Sequence, residues 1–383
     1  MILKKKSLAG IIIATVIVSV ILTIVAICML LGVRRDTGYA LGRFFLVQRY
    51  IERSYVDEVD VNKLMDGAID GMVKSLGDPH SNFLDAEDFE RLKEYNDAAF
   101  GGIGVTMGFK DDKVTVISVL DDTPGQKAGL QVGDEIVAVD GNEVAGQSAS
   151  DVVMQIRGEV GTEVQLTILR AGEQMDVTLQ RDVIHVPTVK GSMLDNGVGY
   201  MRISMFAENT DELFTEELQK LEDQDMRGLI IDLRGNPGGL LKSVVKIGKL
   251  IVPQGPIVSV KERDGSQREY DSELAETKYP IVVLIDGNSA SAAEILAGAL
   301  QDTGAATLVG TKSYGKGSVQ SVIPLTQGEG LKLTIAKYYT PSGRCIDGIG
   351  IEPDVEVELP QDGTVEDTQL DKARAIMQQK LAE

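Results

Sequence analysis

Ser291 and Lys316 have the residue types and the surroundings of a nucleophile and its base. Ser291 follows the apolar run 281–286 and opens the helix-like run 294–300, which predicts that its hydroxyl lies at a strand-to-helix turn. Free N–H groups at such a helix start can hold an anion. Lys316 has a glycine on either side, which an ordinary solvated lysine does not need. The two residues therefore predict acyl transfer, in which the lysine takes the proton of the serine.

The segment around Ser291 also has a structural interpretation. Ser291 and Glu294 have the spacing of a capping box, in which the serine only satisfies the first turn of a helix. The two interpretations are compatible, because a serine at a helix start can face a substrate carbonyl with the N–H of Ala292 beside it.

A lysine base requires an unusual environment. At its ordinary pKa of about 10.4 the amine is almost fully protonated at neutral pH, but burial can lower the pKa of an amine by up to about 3 to 5 units. Gln320 lies further along the strand predicted to follow Lys316, on the same face, and we expect its side chain to hold the amine by a hydrogen bond. A glutamine that only faces solvent is the alternative for this position.

The negatively charged oxygen formed by the attack needs two preorganised N–H donors. Ala292, directly after the serine, is expected to supply one of them. The second is expected from Gly238 or Gly239, which end a strand in the segment 232–239 and permit a close approach of the backbone. The same residues are also typical of an ordinary β-turn, so this assignment stays open between the two glycines.

Composition excludes several other kinds of site. The chain of 383 residues has two histidines and two cysteines, too few for a zinc cluster, and we expect no metal and no cofactor. His80 and His185 lie outside the motifs above and are expected to be structural residues, and Cys345 is an unfavourable nucleophile. The formal net charge of -20 is unfavourable for a nucleic-acid partner, because phosphate binding requires clustered Lys and Arg.

The segment 310–316 matches a phosphate-binding loop as far as its lysine. Gly317 stands where a Ser or Thr should bind magnesium, and the residues that follow predict a strand rather than the required helix. We therefore do not expect nucleotide binding.

The sequence begins with a long uncharged segment. Residues 7–33 contain no charged side chain, which exceeds the roughly 20 residues that a bilayer-spanning helix needs. This run predicts a single transmembrane helix and a single-pass protein of the cell membrane, with its catalytic part outside the cytoplasm. Lipidation of Cys28 is an unfavourable alternative, because a bulky Ile27 precedes it.

The rest of the chain predicts four further parts. After an anchor over residues 1–36, amphipathic helices are expected over 37–98, a β-rich module over 99–183, an α/β core over 184–360 and a helical tail over 361–383. The β-rich module resembles a PDZ domain, through its segments 101–104, 128–134 and 156–161. In such a domain the loop of Gly101, Gly102, Ile103 and Gly104 would bind a peptide C-terminus while the adjacent strand adds the peptide to its sheet.

The ordered set of motifs resembles the carboxy-terminal processing proteases, tail-specific Ser/Lys peptidases of S41 type. Beside the residues above, the resemblance includes segments 77–81, 339–343 and 350–354. It implies an α/β core of ClpP/crotonase-like fold with a PDZ domain, a nucleophile at Ser291, a base at Lys316, a supporting Gln320 and an oxyanion loop at 236–239. It also implies homodimers and regulation by PDZ movement, and it places Asp302 near the site, where we expect a structural role.

We expect a membrane-anchored serine endopeptidase that recognises the C-termini of protein or peptide substrates and cleaves them through an acyl-enzyme. A regulatory protein partner is a further possibility that the sequence leaves open. The alternative is a non-catalytic, membrane-tethered PDZ adaptor that has kept only the peptide groove. The presence of Ser291, Lys316 and Gln320 favours the enzyme.

Overall fold

A computed structural model describes residues 10, 12–20, 22–23, 35–110, 113–360 and 366–383. The chain forms two compact units, Met1–Ser75 and Leu76–Glu383. The first unit contains helices α1 (Arg35–Ser54) and α2 (Val61–Lys74). Asp60 caps α2 by accepting the N–H groups of Asn62 and Lys63.

The prediction of a single-pass membrane protein is corrected by the structure. None of the helices in the described ranges is long and apolar enough to cross a membrane. The described positions of the predicted segment 7–33 that lie between residues 10 and 23 are helical. Its remaining residues, Cys28 among them, lie outside the described part of the chain.

The second unit begins with strand β1 (Asn82–Leu84) and helix α3 (Ala86–Asp97) and continues into the β-rich module. The strands of this module are β2 (Ala99–Gly102), β3 (Val105–Lys110), β4 (Lys113–Val119), β5 (Glu135–Val139), β6 (Asn142–Glu143), β7 (Glu163–Arg170), β8 (Glu173–Gln180) and β9 (Asp182–His185). Its helices are α4 (Pro124–Lys127) and α5 (Ala149–Ile156).

The main sheet of the module has the order β3-β4-β5-β7-β8, with β6 paired to β5, while β2 pairs only with β9. Strand β3 is therefore an edge strand. Alternate residues of β4, β5 and β7 are buried, as is Val152 on α5, so one face of the sheet packs into a single apolar core.

The α/β core comprises ten strands and four helices in the described part of the chain. Its strands are β10 (Val189–Leu194), β11 (Val198–Ile203), β12 (Gly228–Asp232), β13 (Gly255–Glu262), β14 (Gln267–Ser272), β15 (Ile281–Ile285), β16 (Ala306–Gly310), β17 (Ser318–Pro324), β18 (Gly330–Tyr339) and β19 (Val355–Glu356). Its helices are α6 (Thr210–Glu222), α7 (Leu241–Ile251), α8 (Ala292–Asp302) and α9 (Thr368–Ala382), with short 3₁₀ turns at Asp195–Gly197 and Thr326–Gly328.

Two sheets organise the core. The first has the order β10-β11-β12-β15-β16-β19, parallel except for the β10-β11 pair. Alternate residues of β12 face opposite sides: Leu229 and Ile231 pack with helices α6 to α8, and Ile230 packs with α9. Strands such as β15 are therefore uninterrupted apolar runs, as expected of a parallel sheet covered on both faces.

The second sheet brings distant parts of the chain to the catalytic loops. It has the order β1-β18-β13-β14, and β17 also pairs with β18. Through β1, the segment that precedes the PDZ-like module becomes part of the core. The sequence did not predict β1, because a three-residue strand has no periodicity of its own.

The tail helix α9 is attached by a partly buried ion pair. Arg234 donates to Asp232 and to Asp367, which caps α9 by accepting the N–H of Leu370. Burial alone would lower the pKa of Arg234, but hydrogen bonds to the two carboxylates raise it above its ordinary value. The predicted helical tail is thus fixed at the end of β12, next to the loop that precedes Gly238.

Candidate active site

Ser291 lies at the turn between the segment after β15 and helix α8, as the sequence predicted. Its backbone has a φ of 55°, in the left-handed region that non-glycine residues rarely adopt. The turn holds it there: the N–H of Ser291 donates to Glu294 Oε2 at 2.8 Å, and the N–H of Ala290 donates to the carbonyl of Asn236 at 2.9 Å. Ser291 is thus both the N-cap residue of α8 and a residue held in a strained conformation.

Glu294 connects the nucleophile turn to the lysine loop. Its side chain is fully buried. Oε2 accepts the N–H groups of Ser291 and Lys316, both at 2.8 Å. Oε1 accepts the hydroxyl of Ser313 at 2.5 Å and the N–H of Gly315 at 2.7 Å. The sequence identified this glutamate only as the third residue of a capping box, since its contacts with the lysine loop are long-range.

The two glycines beside Lys316 are required by close packing. Gly315 has a φ of 92°, and a Cβ there would lie 2.9 Å from the backbone nitrogen of Gly350. A Cβ on Gly317 would lie 2.5 Å from the backbone nitrogen of Asp347. The loop therefore folds tightly against residues 347–350, which fixes the backbone from which Lys316 extends.

The amine of Lys316 has the electrostatics of a base. Burial lowers its pKa, the positive charge of Lys332 lowers it further, and the charges of Asp78 and Glu294 partly oppose the shift. In the described structure the amine has no hydrogen-bond partner, and Ser291 Oγ is not bonded to it. Tyr338, which is buried beside both residues, donates its hydroxyl to the backbone oxygen of Lys316.

Gln320 lines the same cleft as Ser291 and Lys316. Its amide nitrogen donates to Ser318 Oγ at 2.9 Å and to Thr334 Oγ1 at 3.2 Å. The hydrogen bond that the sequence predicts between Gln320 and Lys316 is not formed in this conformation. Gln320 thus lines the cleft together with Lys316, and its support of the amine stays a prediction.

Gly238 and Gly239, which the sequence could not distinguish, differ in their hydrogen bonds in the loop after β12. The N–H of Gly238 donates to Oδ1 of Asn236 at 2.8 Å, and is therefore occupied. A Cβ on Gly238 would lie 2.7 Å from Cβ of Ser291, so a glycine is required there. The N–H groups of Gly239 and Ala292 have no acceptor within the described residues, and both residues line the cleft with Ser291. They are the two donors that an oxyanion can use.

The cleft around these residues has a volume of about 400 Å³. Its walls are mostly apolar and include Leu92, Leu240, Leu241, Ile295 and Val319. A second cavity of about 560 Å³ also contains Lys316 and is lined by His80. The sequence predicted only a turn residue at His80, because its approach to Lys316 depends on the pairing of β1 with β18.

Asp78, close to His80 in sequence, is another residue that the sequence analysis missed. Burial would raise the pKa of Asp78, but hydrogen bonds from Ser81, Thr334 and the N–H of His80 lower it to about 2. The negative charge of Asp78 raises the pKa of the Lys316 amine. The segment 77–81 was noted as a motif in the sequence, but nothing in the sequence indicated the residues that it contacts.

The other residues considered from the sequence lie elsewhere or have structural contacts. Asp302 accepts the N–H of Ser342 at 2.9 Å and pairs with Arg344, in agreement with the structural role expected for it. His185 pairs with Ala99 in the β2-β9 ribbon. The backbone of Cys345 pairs with that of Tyr339 in an isolated antiparallel β-bridge. Within the described residues, no group of three or more His, Cys, Asp or Glu side chains could hold a metal ion.

A groove is present in the β-rich module at the place where we expect a peptide to bind. A cavity of about 230 Å³ lies along the open edge of β3 and is lined by Val153 and Ile156 of α5. Gly101 is required for packing, because a Cβ there would lie 2.0 Å from the carbonyl oxygen of Gly158.

Of the four predicted carboxylate-binding residues, Gly101 and Gly102 belong to strand β2, and Gly102 pairs with Asp182. The N–H groups of Ile103 and Gly104 have no acceptor in the described ranges, and both residues line the groove. These two groups are the ones available to a terminal carboxylate.

Three family models match this chain. They are peptidase family S41 over residues 197–357, a PDZ domain over residues 101–180, and the N-terminal domain of the activating protease CtpB over residues 36–88.

Curated proteins and solved structures agree with these models. The chain is 40% identical to the carboxy-terminal-processing protease of Bartonella bacilliformis over 357 residues, which cover 91% of this chain and 82% of that protein. It is 40% identical to the carboxy-terminal processing protease CtpB of Bacillus subtilis, over 84% of this chain and 68% of that protein. The solved structure of the photosystem II D1 C-terminal processing protease is similar with a TM-score of 0.51 and 28% identity, covering 87% of this chain and 90% of that chain. The resemblance seen in the sequence motifs is confirmed.

Replacing Glu294 by Gln should disable the site without unfolding the core. In the glutamine variant an NH₂ group replaces one carboxylate oxygen. It would face N–H donors, either those of Ser291 and Lys316 or that of Gly315. Because two donors cannot form a hydrogen bond with each other, we expect the two loops to separate. Because a displacement of about 1 Å at reacting groups can cost about 10²-fold, we expect kcat/KM for peptide hydrolysis to fall by about 10²-fold or more. Glu212→Gln, an exposed acid in the first turn of α6, is the matched control and should be neutral. Equal activity of the two variants would contradict the role assigned to Glu294.

Proposed function

We propose a mechanism and a mode of substrate capture for this chain, which belongs to the carboxy-terminal processing proteases of peptidase family S41 and is a serine peptidase with a PDZ domain. In the proposal it is an endopeptidase that holds a protein C-terminus in the PDZ groove and cleaves with a Ser/Lys pair. The observation that carries the mechanism is the half-buried side chain of Lys316, whose amine has a lowered pKa, in one cleft with Ser291.

Acylation begins with the neutral amine of Lys316. It takes the proton of Ser291 Oγ while that oxygen attacks the substrate carbonyl carbon. The N–H groups of Gly239 and Ala292 stabilise the negative charge that develops on the carbonyl oxygen. The C–N bond then breaks as the ammonium of Lys316 returns the proton to the leaving nitrogen, which leaves an ester on Ser291. A water molecule, deprotonated by the same amine, hydrolyses this ester.

Substrate capture follows from the groove beside β3. An extended peptide can pair with the open edge of that strand, and its terminal carboxylate can accept the free N–H groups of Ile103 and Gly104. Val153 and Ile156 on the wall favour an apolar last side chain. The preferred substrates are therefore proteins with exposed, apolar C-termini.

The two residues of the pair can be tested separately. We expect Ser291→Ala to reduce cleavage of an unstructured, apolar-tailed protein to the uncatalysed background, and Lys316→Ala to reduce kcat/KM by about 10² to 10⁴-fold. Lys312→Ala is the matched control, because Lys312 is an exposed lysine in the same segment and should be dispensable. Cleavage rates, measured by mass spectrometry of the products, that match wild type in either Ser291→Ala or Lys316→Ala would contradict the mechanism.

The pH dependence of cleavage tests the amine directly. Only the neutral form of Lys316 accepts a proton, so kcat/KM should rise with pH and level off above the pKa of the amine. Because burial lowers that pKa, the midpoint should lie below the ordinary value of 10.5. The measurement is kcat/KM between about pH 6 and pH 9 on a peptide without ionisable side chains. A rate that does not change over this interval would rule out the amine as the titrating base.

A homodimer is part of the proposal, and helix α1 supports it. Tyr39, Phe45 and Tyr50 on this helix are 80%, 59% and 65% exposed, which is unusual for large apolar side chains in water. We expect sedimentation velocity of the full chain to give a dimer and the double variant Phe45→Glu/Tyr50→Glu to give a monomer. Arg43→Glu, an exposed polar position of the same helix, should leave the dimer intact. A monomeric wild type would refute this part.

A further inference from the structure

Lys332 is a second lysine in the catalytic cleft. It lies in the middle of the sheet, where β18 pairs with Asn82 of β1 on one side and with Val322 of β17 on the other. The backbone of Lys332 is therefore held from both sides. Its side chain is half-buried and lines the same cleft as Ser291 and Lys316.

The charge of Lys332 has no counter-ion in the described part of the chain. Other lysines of the core have one: Lys246 pairs with Asp211, and Lys337 pairs with Asp347. The residues that line the cleft include neither aspartate nor glutamate, although the chain as a whole has a formal net charge of -20. A lysine that faces an apolar cleft without a carboxylate, in so acidic a protein, is available for a negative charge on a ligand.

We propose that Lys332 binds a carboxylate of the substrate and is a specificity-determining residue of the cleft. This inference rests on the proposed function, since it concerns the peptide that Ser291 attacks. A charge-assisted hydrogen bond from the ammonium to the carboxylate would fix the register of the peptide. The apolar walls, with Leu240, Leu241 and Ile295, take the neighbouring side chains. The preferred segment is therefore apolar with one carboxylate, from an Asp or Glu side chain or from a chain end.

Binding of a carboxylate at Lys332 is compatible with the role of Lys316. A negative charge there offsets part of the repulsion by which Lys332 lowers the pKa of Lys316. Burial is the larger cause of that lowering, and a peptide that fills the cleft increases the burial. The amine of Lys316 therefore stays suited to accept a proton while Lys332 is paired.

The test uses the full-length protein and matched fluorogenic peptides. The peptides are apolar and carry Glu, Gln or Lys at one position at a time around the cleaved bond, each with a free or an amidated C-terminus. We expect wild type to prefer one carboxylate-bearing peptide by about tenfold in kcat/KM, the size of one hydrogen bond to a charged group. Lys332→Met should abolish the preference, Lys332→Arg should keep it, and Lys332→Glu should prefer Lys at that position.

The comparison is made as a ratio within each variant, so that a change in the pKa of Lys316 cancels. Lys190→Met, an exposed lysine on β10, is the matched control and should keep the wild-type ratio. A preference that depends on amidation rather than on Glu identifies a chain end as the carboxylate. Wild type without any carboxylate preference, or Lys332→Met with the wild-type ratio and only a shifted pH profile, would overturn the inference.

Binding measurements keep the inference separate from the proposed mechanism. The affinities of the amidated Glu and Gln peptides are measured for Ser291→Ala and for Ser291→Ala/Lys332→Met, where no cleavage is needed. A Glu preference that only the first variant shows supports the inference, even if wild type proves unable to cleave the peptides and the proposed mechanism fails. Equal Glu-to-Gln affinity ratios in the two variants would contradict the inference about Lys332 and leave the proposed mechanism unaffected.

Discussion

The buried carboxylate of Glu294 is the interaction on which the arrangement of the site depends. A charge without water is costly unless hydrogen bonds replace the hydration. Glu294 receives four, from the N–H groups of Ser291, Gly315 and Lys316 and from the hydroxyl of Ser313. These donors come from two loops that follow different strands. Because neither loop can move without leaving part of the buried charge unsatisfied, the position of Ser291 also determines that of Lys316.

The backbone strain at Ser291 follows from the same constraint. In the left-handed conformation the N–H of Ser291 donates to Glu294, while that of Ala292, which lines the cleft, has no acceptor among the described residues. Asn236 has a similar role in the loop after β12: its side chain accepts the N–H of Gly238, while the N–H of Gly239 has no acceptor in the part of the chain that the structure describes. Both loops therefore satisfy one donor internally and present the next to the substrate.

The sequence predicted those parts of the fold and site that depend on local patterns. The apolar run 281–286 predicted strand β15, and the strand-to-helix pattern predicted the turn at Ser291. Residues brought in by long-range pairing were not predictable in this way: Asp78 and His80 approach Lys316 only because β1 joins β18. The choice between Gly238 and Gly239 also needed the structure, since it depends on one side-chain hydrogen bond from Asn236.

Burial acts differently on the two lysines of the cleft. Burial lowers the pKa of Lys316 more than the nearby negative charges raise it, which favours the neutral form that the proposed mechanism requires of a base. The same loss of water would strengthen any ion pair that Lys332 forms, because screening by solvent decreases. An apolar cleft in an acidic protein can therefore contain one lysine that functions without its proton and another that functions through its charge. In this proposal the two lysines differ because the substrate supplies a carboxylate to Lys332 and none to Lys316.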